Sequence, residues 1–457
     1  MSNEEEKNLS IENRRSNIIG SGSFGVVRKA TIQGHDCAVK KFNVSNTSST
    51  VWSNIPLREV SSLVSIPPHP NIIPLSAIFI DERKKVNLIF PRRNCTLYDY
   101  MKYTLSRSVS DEKILKWTRQ LVSALAHIHE HNFVHRDIKL ENILIDQDEN
   151  VEIADFGQAK FIPFKSFPVH LTATVCSPCT RAPELIDNPL LYKTKYYDEK
   201  IDSWSLGIVL LTLVAGKYVI QTKDIDVLKR SLQKYSSVEL INLNTHRNIN
   251  PLISETIVQL LEVDPKNRVR VLDLREKFDI KPVFRDTVLF SKFNGSIIPE
   301  TVKFVFTKER KVIGTFISEC VRTLKCNMQT FVQSLLLWSK FVPIYTLSHE
   351  KAFSVVDQFH SASACVSLIS KIQEYNYFPM SLFARLASTK QKVIAEWEQK
   401  IMETTKGQII ENISFEKEEN AILFCCFFIN TDLEIKDFDA TKNEHFKETK
   451  IYKDHKK

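Results

Sequence analysis

The sequence predicts an α+β fold of two unlike lobes, followed by a separate all-α domain. Three observations carry this. Within residues 17–42, short β-branched runs such as Val26-Val27 flank the turn signal Gln33-Gly34-His35, which marks a hairpin-rich sheet. From Ser110 to about Phe278 the apolar spacing is mostly helical, strongest over residues 111–131 and 204–215. After a turn-rich stretch around Asn294-Gly295-Ser296, residues 301–408 are helical again.

In chain order, residues 1–14 are charged and expected to be disordered. Residues 15–280 form the first domain, with a β-rich lobe over about 15–91 and a helical lobe over about 92–280. Within the first lobe a helix is expected at 57–66, broken by Pro67-Pro68-His69-Pro70, with strands at 72–80 and 86–90. Residues 281–300 read as a linker, 301–408 as the helical domain and 409–457 as a Lys-rich extension. The 457 residues are 43% hydrophobic and 25% charged, a globular balance that excludes wholesale disorder. The longest apolar run, residues 421–429, is too short to span a bilayer, so no membrane partner is expected. A net charge of +8 speaks to solubility and gives no reason to expect specific nucleic-acid binding. Nine scattered cysteines and a polar, acidic N-terminal stretch suit a reduced, intracellular protein, cytoplasmic or nuclear.

Glycine occurs only ten times, and three of the ten fall within six residues. They belong to Ile19-Gly20-Ser21-Gly22-Ser23-Phe24-Gly25-Val26-Val27. Glycines so spaced let a turn lie close over phosphate oxygens. Val26 and Val27 continue as strand where a dinucleotide fold would start a helix, which points to a nucleotide lid between strands. Lys40, on the next strand beside Ala38, provides an ammonium for the phosphates, and Glu59 on the first helix can pair with it. In His135-Arg136-Asp137-Ile138-Lys139-Leu140-Glu141-Asn142, Asp137 is placed to take a proton from an acceptor hydroxyl and Asn142 to bind a divalent ion. Asp155-Phe156-Gly157 supplies the second carboxylate, which would bridge magnesium to the nucleotide phosphates. Ala182-Pro183-Glu184, Asp202 and Arg268 follow in order.

Over about residues 15–280 this series resembles the eukaryotic protein kinases. The resemblance implies a bilobal fold, ATP with magnesium (or manganese) as cofactors, and a protein substrate carrying a serine or threonine acceptor. It also implies that Phe90 is the gatekeeper, and that the Pro91 carbonyl and Arg93 amide meet adenine. Asp202 would brace the catalytic-loop backbone and Arg268 would pair with Glu184. Lys139 and Ser177 match the serine/threonine pattern rather than the tyrosine one.

Residues 53–63 further resemble the PSTAIRE helix of cyclin-dependent kinases. That likeness implies a phosphorylated Thr172 gripped by Arg58, Arg136 and Lys160, and a preference, through Arg181, for proline after the acceptor. Cys179 and Thr180 depart from that pattern. Residues 301–408 resemble a single cyclin box, with Arg310 and Phe316 at its first helix. Lys371 and Glu398 match the cyclin pair that binds the kinase. A cyclin-like intramolecular partner that activates the kinase in cis is therefore expected. Two alternatives are a helical domain that recruits substrate or an external partner, and a non-catalytic nucleotide-binding scaffold.

Overall fold

The computed structural model describes residues 17–21, 25–32, 35–42, 54–81, 85–103, 109–162, 176–185, 197–217, 249–281, 288–290, 308–326, 328–349, 353–374, 378–410 and 413–415. The chain divides into two compact units, with the boundary between Arg285 and Asp286.

The first unit opens with an antiparallel sheet of β1 (Ile18–Ser21), β2 (Gly25–Ile32), β3 (His35–Phe42), β4 (Ala77–Ile80) and β5 (Val86–Pro91). Their order across the sheet is β1-β2-β3-β5-β4. Gly25 pairs with Phe42 so closely that a Cβ there would lie 2.3 Å from the Lys41 carbonyl oxygen. Helix α1 (Asn54–Ser65) starts three residues earlier than the sequence reading placed it. Pro56 falls in its first turn, where a missing N–H costs nothing because that donor has no helical partner. The strand expected over 72–80 is shorter than its apolar content suggests: Ile72 makes a single bridge to Ile153, and only Ala77–Ile80 enters the sheet. Pro74, lacking an N–H, interrupts the run.

The helical lobe contains β6 (Cys95–Thr96), α2 (Leu97–Tyr103), α3 (Asp111–Glu130), β7 (Phe133–Val134), β8 (Ile143–Ile145), β9 (Val151–Ile153), β10 (Lys160–Phe161), α4 (Lys200–Ala215), α5 (Pro251–Leu260) and α6 (Leu274–Lys277). Ser110 caps α3, its hydroxyl accepting from the Lys113 amide at 3.3 Å. Ile201 through Val214 are all buried, so α4 is enclosed on every side and forms the centre of the lobe. It lies tight against the end of α5: a Cβ on Gly207 would stand 2.7 Å from Leu261 Cδ2 and 2.9 Å from Leu260 Cβ.

The second unit contains five described helices: α7 (Lys308–Thr323), α8 (Met328–His349), α9 (Val355–Gln373), α10 (Met380–Leu386) and α11 (Gln391–Thr404). Helix α9 packs against each of the other four. Small residues make this central position feasible, since Ser361, Ala362, Ser363, Ala364 and Cys365 are all fully buried. Trp338 Nε1 donates to Ser361 Oγ at 3.2 Å, and Ser363 Oγ donates to the Phe383 carbonyl at 2.9 Å. Ser339 turns its hydroxyl back to the Leu335 carbonyl at 2.7 Å. The linker and extension boundaries need correction. Val288–Phe290 and Ile413–Phe415 form strands β11 and β12, paired in parallel, so 281–300 is not wholly linker and the extension begins inside structure.

Candidate active site

The sheet and the loop between β7 and β8 converge on a cleft of about 970 Å³. Ile19, Gly20, Ser21, Gly25, Val27, Ala38, Lys40, Phe90 and Arg93 line it from the sheet and the hinge, and Lys139, Asn142, Leu144, Asp155 and Ser177 from the helical lobe. Val26, expected at the nucleotide, does not line it. Neighbouring residues of a strand point to opposite faces, and Val27 takes the inward one. Gly22, Ser23, Phe24 and Thr172 lie outside the described residues.

Lys40 projects from β3 to Glu59 on α1, with Nζ 2.9 and 2.7 Å from the two carboxylate oxygens. It also reaches Asp155 Oδ1 at 2.8 Å. Burial alone would push the Lys40 ammonium down, but the Glu59 and Asp155 carboxylates outweigh it and hold the group above the ordinary lysine value. Burial pushes the Glu59 carboxyl up to about 7, with Lys40 drawing it back. At Asp155 burial raises and Lys40 lowers, and Lys40 prevails, so this carboxyl sits below the usual range. Asp155 adopts a left-handed backbone, φ 64°, which turns its side chain toward Lys40.

Asp137 is held from two sides. Its Oδ1 accepts from Ser177 Oγ at 2.8 Å and the Ser177 amide at 3.2 Å. Its Oδ2 accepts from Lys139 Nζ at 2.7 Å and Asn142 Nδ2 at 3.0 Å. Lys139 also donates to Ser177 Oγ at 2.9 Å, so the ammonium bridges the carboxylate and the hydroxyl. Asn142 donates with its amide nitrogen, which leaves its side-chain oxygen as a ligand atom. With the Asp155 carboxylate this gives the hard oxygen donors that magnesium prefers, so the residues present fit such an ion.

Below the loop, the fully buried Asp202 accepts from the His135 and Arg136 amides at 2.8 Å each, and from His129 Nε2 at 2.9 Å. Burial opposes its ionisation, but His129 and the other donors carry its carboxyl below the usual range. They also hold Arg136 in a left-handed turn, φ 66°. Arg136 donates to the Gln158 carbonyl at 2.7 Å and to the Tyr197 hydroxyl at 3.0 Å. Burial, and then the charge of Arg136, pull the Arg58 guanidinium down to about 9, so the two expected phosphate ligands lie near each other. Lys160, the expected third ligand, is only 3% exposed within β10, where it pairs across from Val134. Arg268 meets Glu184 with a two-pronged contact at 2.7 and 2.9 Å and stacks over Trp204. In the second unit Lys371 Nζ lies 2.6 and 2.8 Å from the Glu398 oxygens, and Ser367 Oγ donates to the same carboxylate at 2.6 Å. Expected as interface charges, these two side chains are 7% and 1% exposed.

Several partners were not anticipated. Glu152 forms an ion pair with Arg93, Tyr197 meets Arg136, and His129 meets Asp202. A glutamate between Val151 and Ile153 in a buried strand is a charge that demands a partner, and this signal was available in the sequence.

A family model described as protein kinase domain matches residues 14–277. The NUAK family SNF1-like kinase 1 of Mus musculus is 31% identical over 212 residues, 46% of this chain and 30% of that protein. The carbon catabolite-derepressing protein kinase of Candida glabrata is 28% identical over 262 residues, 56% of this chain and 40% of that protein. CBL-interacting protein kinase 25 of Oryza sativa subsp. japonica is 25% identical over 291 residues, 61% and 53%. The match thus spans about a third to a half of these relatives' length. None of these three carries a cyclin-dependent name, in contrast to the likeness read at residues 53–63.

Proposed function

The chain belongs to the protein kinase family, and we propose that it transfers the γ-phosphoryl group of ATP to serine or threonine of a protein. One observation carries this reading: Lys139 bridges Asp137 and Ser177. Beside the Asp137 carboxylate, the acceptor hydroxyl is oriented and its proton received, while Lys139 offsets negative charge on the transferring group. Lys40, fixed by Glu59, holds phosphate oxygens. Asn142 and Asp155 would hold magnesium, which supplies charge neutralisation between the phosphates. The Asp137→Asn variant is the test: transfer to a serine peptide should fall by about a thousandfold. No measurable transfer by the parent would leave the scaffold alternative standing, and an unchanged rate in the variant would remove Asp137 as the proton acceptor.

The finer proposal is that proline follows the acceptor. Cys176 has φ 65°, and its carbonyl accepts from Arg181 Nη2 at 2.9 Å. A carbonyl turned aside and already bonded is lost to the amide of an arriving substrate residue. A buried N–H without a partner costs about 1–3 kcal/mol. Proline has no N–H and escapes that cost. Matched Ser-Pro and Ser-Ala peptides should therefore differ by roughly tenfold or more in kcat/KM, and Arg181→Ala should narrow the gap. Equal rates on the two peptides would remove this preference.

The cyclin-like activator in cis is the remaining part of the reading, favoured by five helices arranged with α9 at the centre. Residues 1–285 alone should phosphorylate poorly and recover when residues 286–457 are added. Truncated and full-length chains of equal activity would reject it. Charge reversal at Lys371 is the poorer test, because it would break a buried pair as well as any docking contact.

A further inference from the structure

Between β5 and β6 the hinge is Arg92-Arg93-Asn94, and the guanidinium groups of its two arginines have no part in the phosphoryl transfer described above. Arg92 holds to the sheet side: its amide donates to the Asp36 carbonyl at 3.3 Å, and its guanidinium meets the Asp36 carboxylate at 2.9 Å. Those side chains are 41% and 65% exposed, so the ion pair itself adds little. Asn94 holds to the other side, its amide donating to the Ile145 carbonyl at 2.9 Å and its Nδ2 to the Asp146 carbonyl at 3.1 Å. Arg93 stands between these anchors. Its Nε and Nη2 meet the two Glu152 oxygens at 2.6 and 2.7 Å, a planar fork on a carboxylate. Here the side chains are 20% and 7% exposed.

The location of Glu152 gives the pair its meaning. In the β8–β9 ladder Glu152 lies directly across from Leu144, so their side chains share a face. Leu144 lines the cleft, as Arg93 does. Glu152 is also three residues before Asp155, on the strand that leads to it. An apolar residue would fill a buried position between Val151 and Ile153 without the desolvation cost of a carboxylate. The charge gains a directional hold on the hinge.

We propose that Arg93 and Glu152 are a positioning pair for the nucleotide base. Drawing the hinge peptide onto the β8–β9 floor fixes the distance between the hinge's backbone hydrogen-bonding groups and Leu144. That distance is the width of the slot a purine enters. The side chains act through the backbone and do not themselves react. This inference rests on the reading that the cleft binds ATP.

The test measures the KM for ATP, kcat at saturating peptide, the Kd of a fluorescent ATP analogue with magnesium, and the Tm. It uses the full chain and the variants Arg93→Lys, Arg93→Ala and Glu152→Gln, together with the swap Arg93→Glu/Glu152→Arg. The KM for ATP should rise by roughly tenfold in Arg93→Ala and Glu152→Gln, a larger factor than any fall in kcat. Arg93→Lys, charged but without the fork, should fall between. The swap should recover part of the loss, and Arg93→Ala/Glu152→Ala should be no worse than the worse single variant. A lower Tm with an unchanged KM for ATP would make the pair merely structural and overturn the proposal. If the variants bind the analogue as the parent does, the positioning role falls alone. If the parent binds none, the ATP reading falls and takes this inference with it.

Discussion

Asp137 receives four hydrogen bonds, two from Ser177 and one each from Lys139 and Asn142, so its carboxylate is aimed before any substrate arrives. Removing the Ser177 hydroxyl loosens both Asp137 and Lys139. Ser177→Ala should lower kcat by about tenfold while the KM for ATP stays close to the parent value, read from steady-state kinetics. A second residue-scale consequence lies outside the cleft. His69 accepts the Asn71 amide at Nδ1 and meets Ser123 Oγ at Nε2. Burial, followed by the neighbouring His127 and Arg275, pushes the His69 imidazole down to about 4. Its folded value thus lies below the ordinary one of about 6.5, so between the two the unfolded chain binds the extra proton. The stabilisation is whole above about pH 6.5 and is lost as the pH falls toward 4. Denaturant titrations should show this slope, and His69→Gln should flatten it. The motif residues could be named as candidates because each sits in a local pattern of residue types and spacing. The partners of Glu152 and Tyr197 could not be named, because they stand 59 and 61 residues away, although a charge in a buried strand signals that Glu152 needs one.

At the scale of elements, boundaries proved less legible than identities. The apolar run at residues 72–80 could not reveal that Pro74 leaves only its second half for the sheet. Helix α1 began before Pro56 because the first turn tolerates it. The left-handed Cys176 was invisible, since no glycine or asparagine marks it. Helix α4 against the end of α5 gives a direct check on packing. Gly207→Ala forces a methyl onto Leu260 and Leu261, and should destabilise the first unit by about 1–3 kcal/mol in denaturant unfolding. Ser110→Ala removes the α3 cap and should cost about 1 kcal/mol by the same measurement.

For the whole molecule, the turn-rich stretch near residue 295 led to an expected linker at residues 281–300, and the structure divides the chain at Arg285/Asp286. The β11–β12 pair was not legible, because three-residue strands carry no usable periodicity. A fragment starting at residue 301 loses β11 and leaves β12 unpaired. It should therefore melt below a fragment starting at residue 286 when both are followed by circular dichroism. The proposed function rests on the residues around Asp137 performing phosphoryl transfer. The most direct measurement is incorporation of label from γ-labelled ATP, with magnesium, into a serine-containing peptide by the full chain. The account predicts labelled phosphoserine from the parent protein and a thousandfold loss, to order of magnitude, in Asp137→Asn. Labelling that is equal in the two, or absent from both, would contradict it.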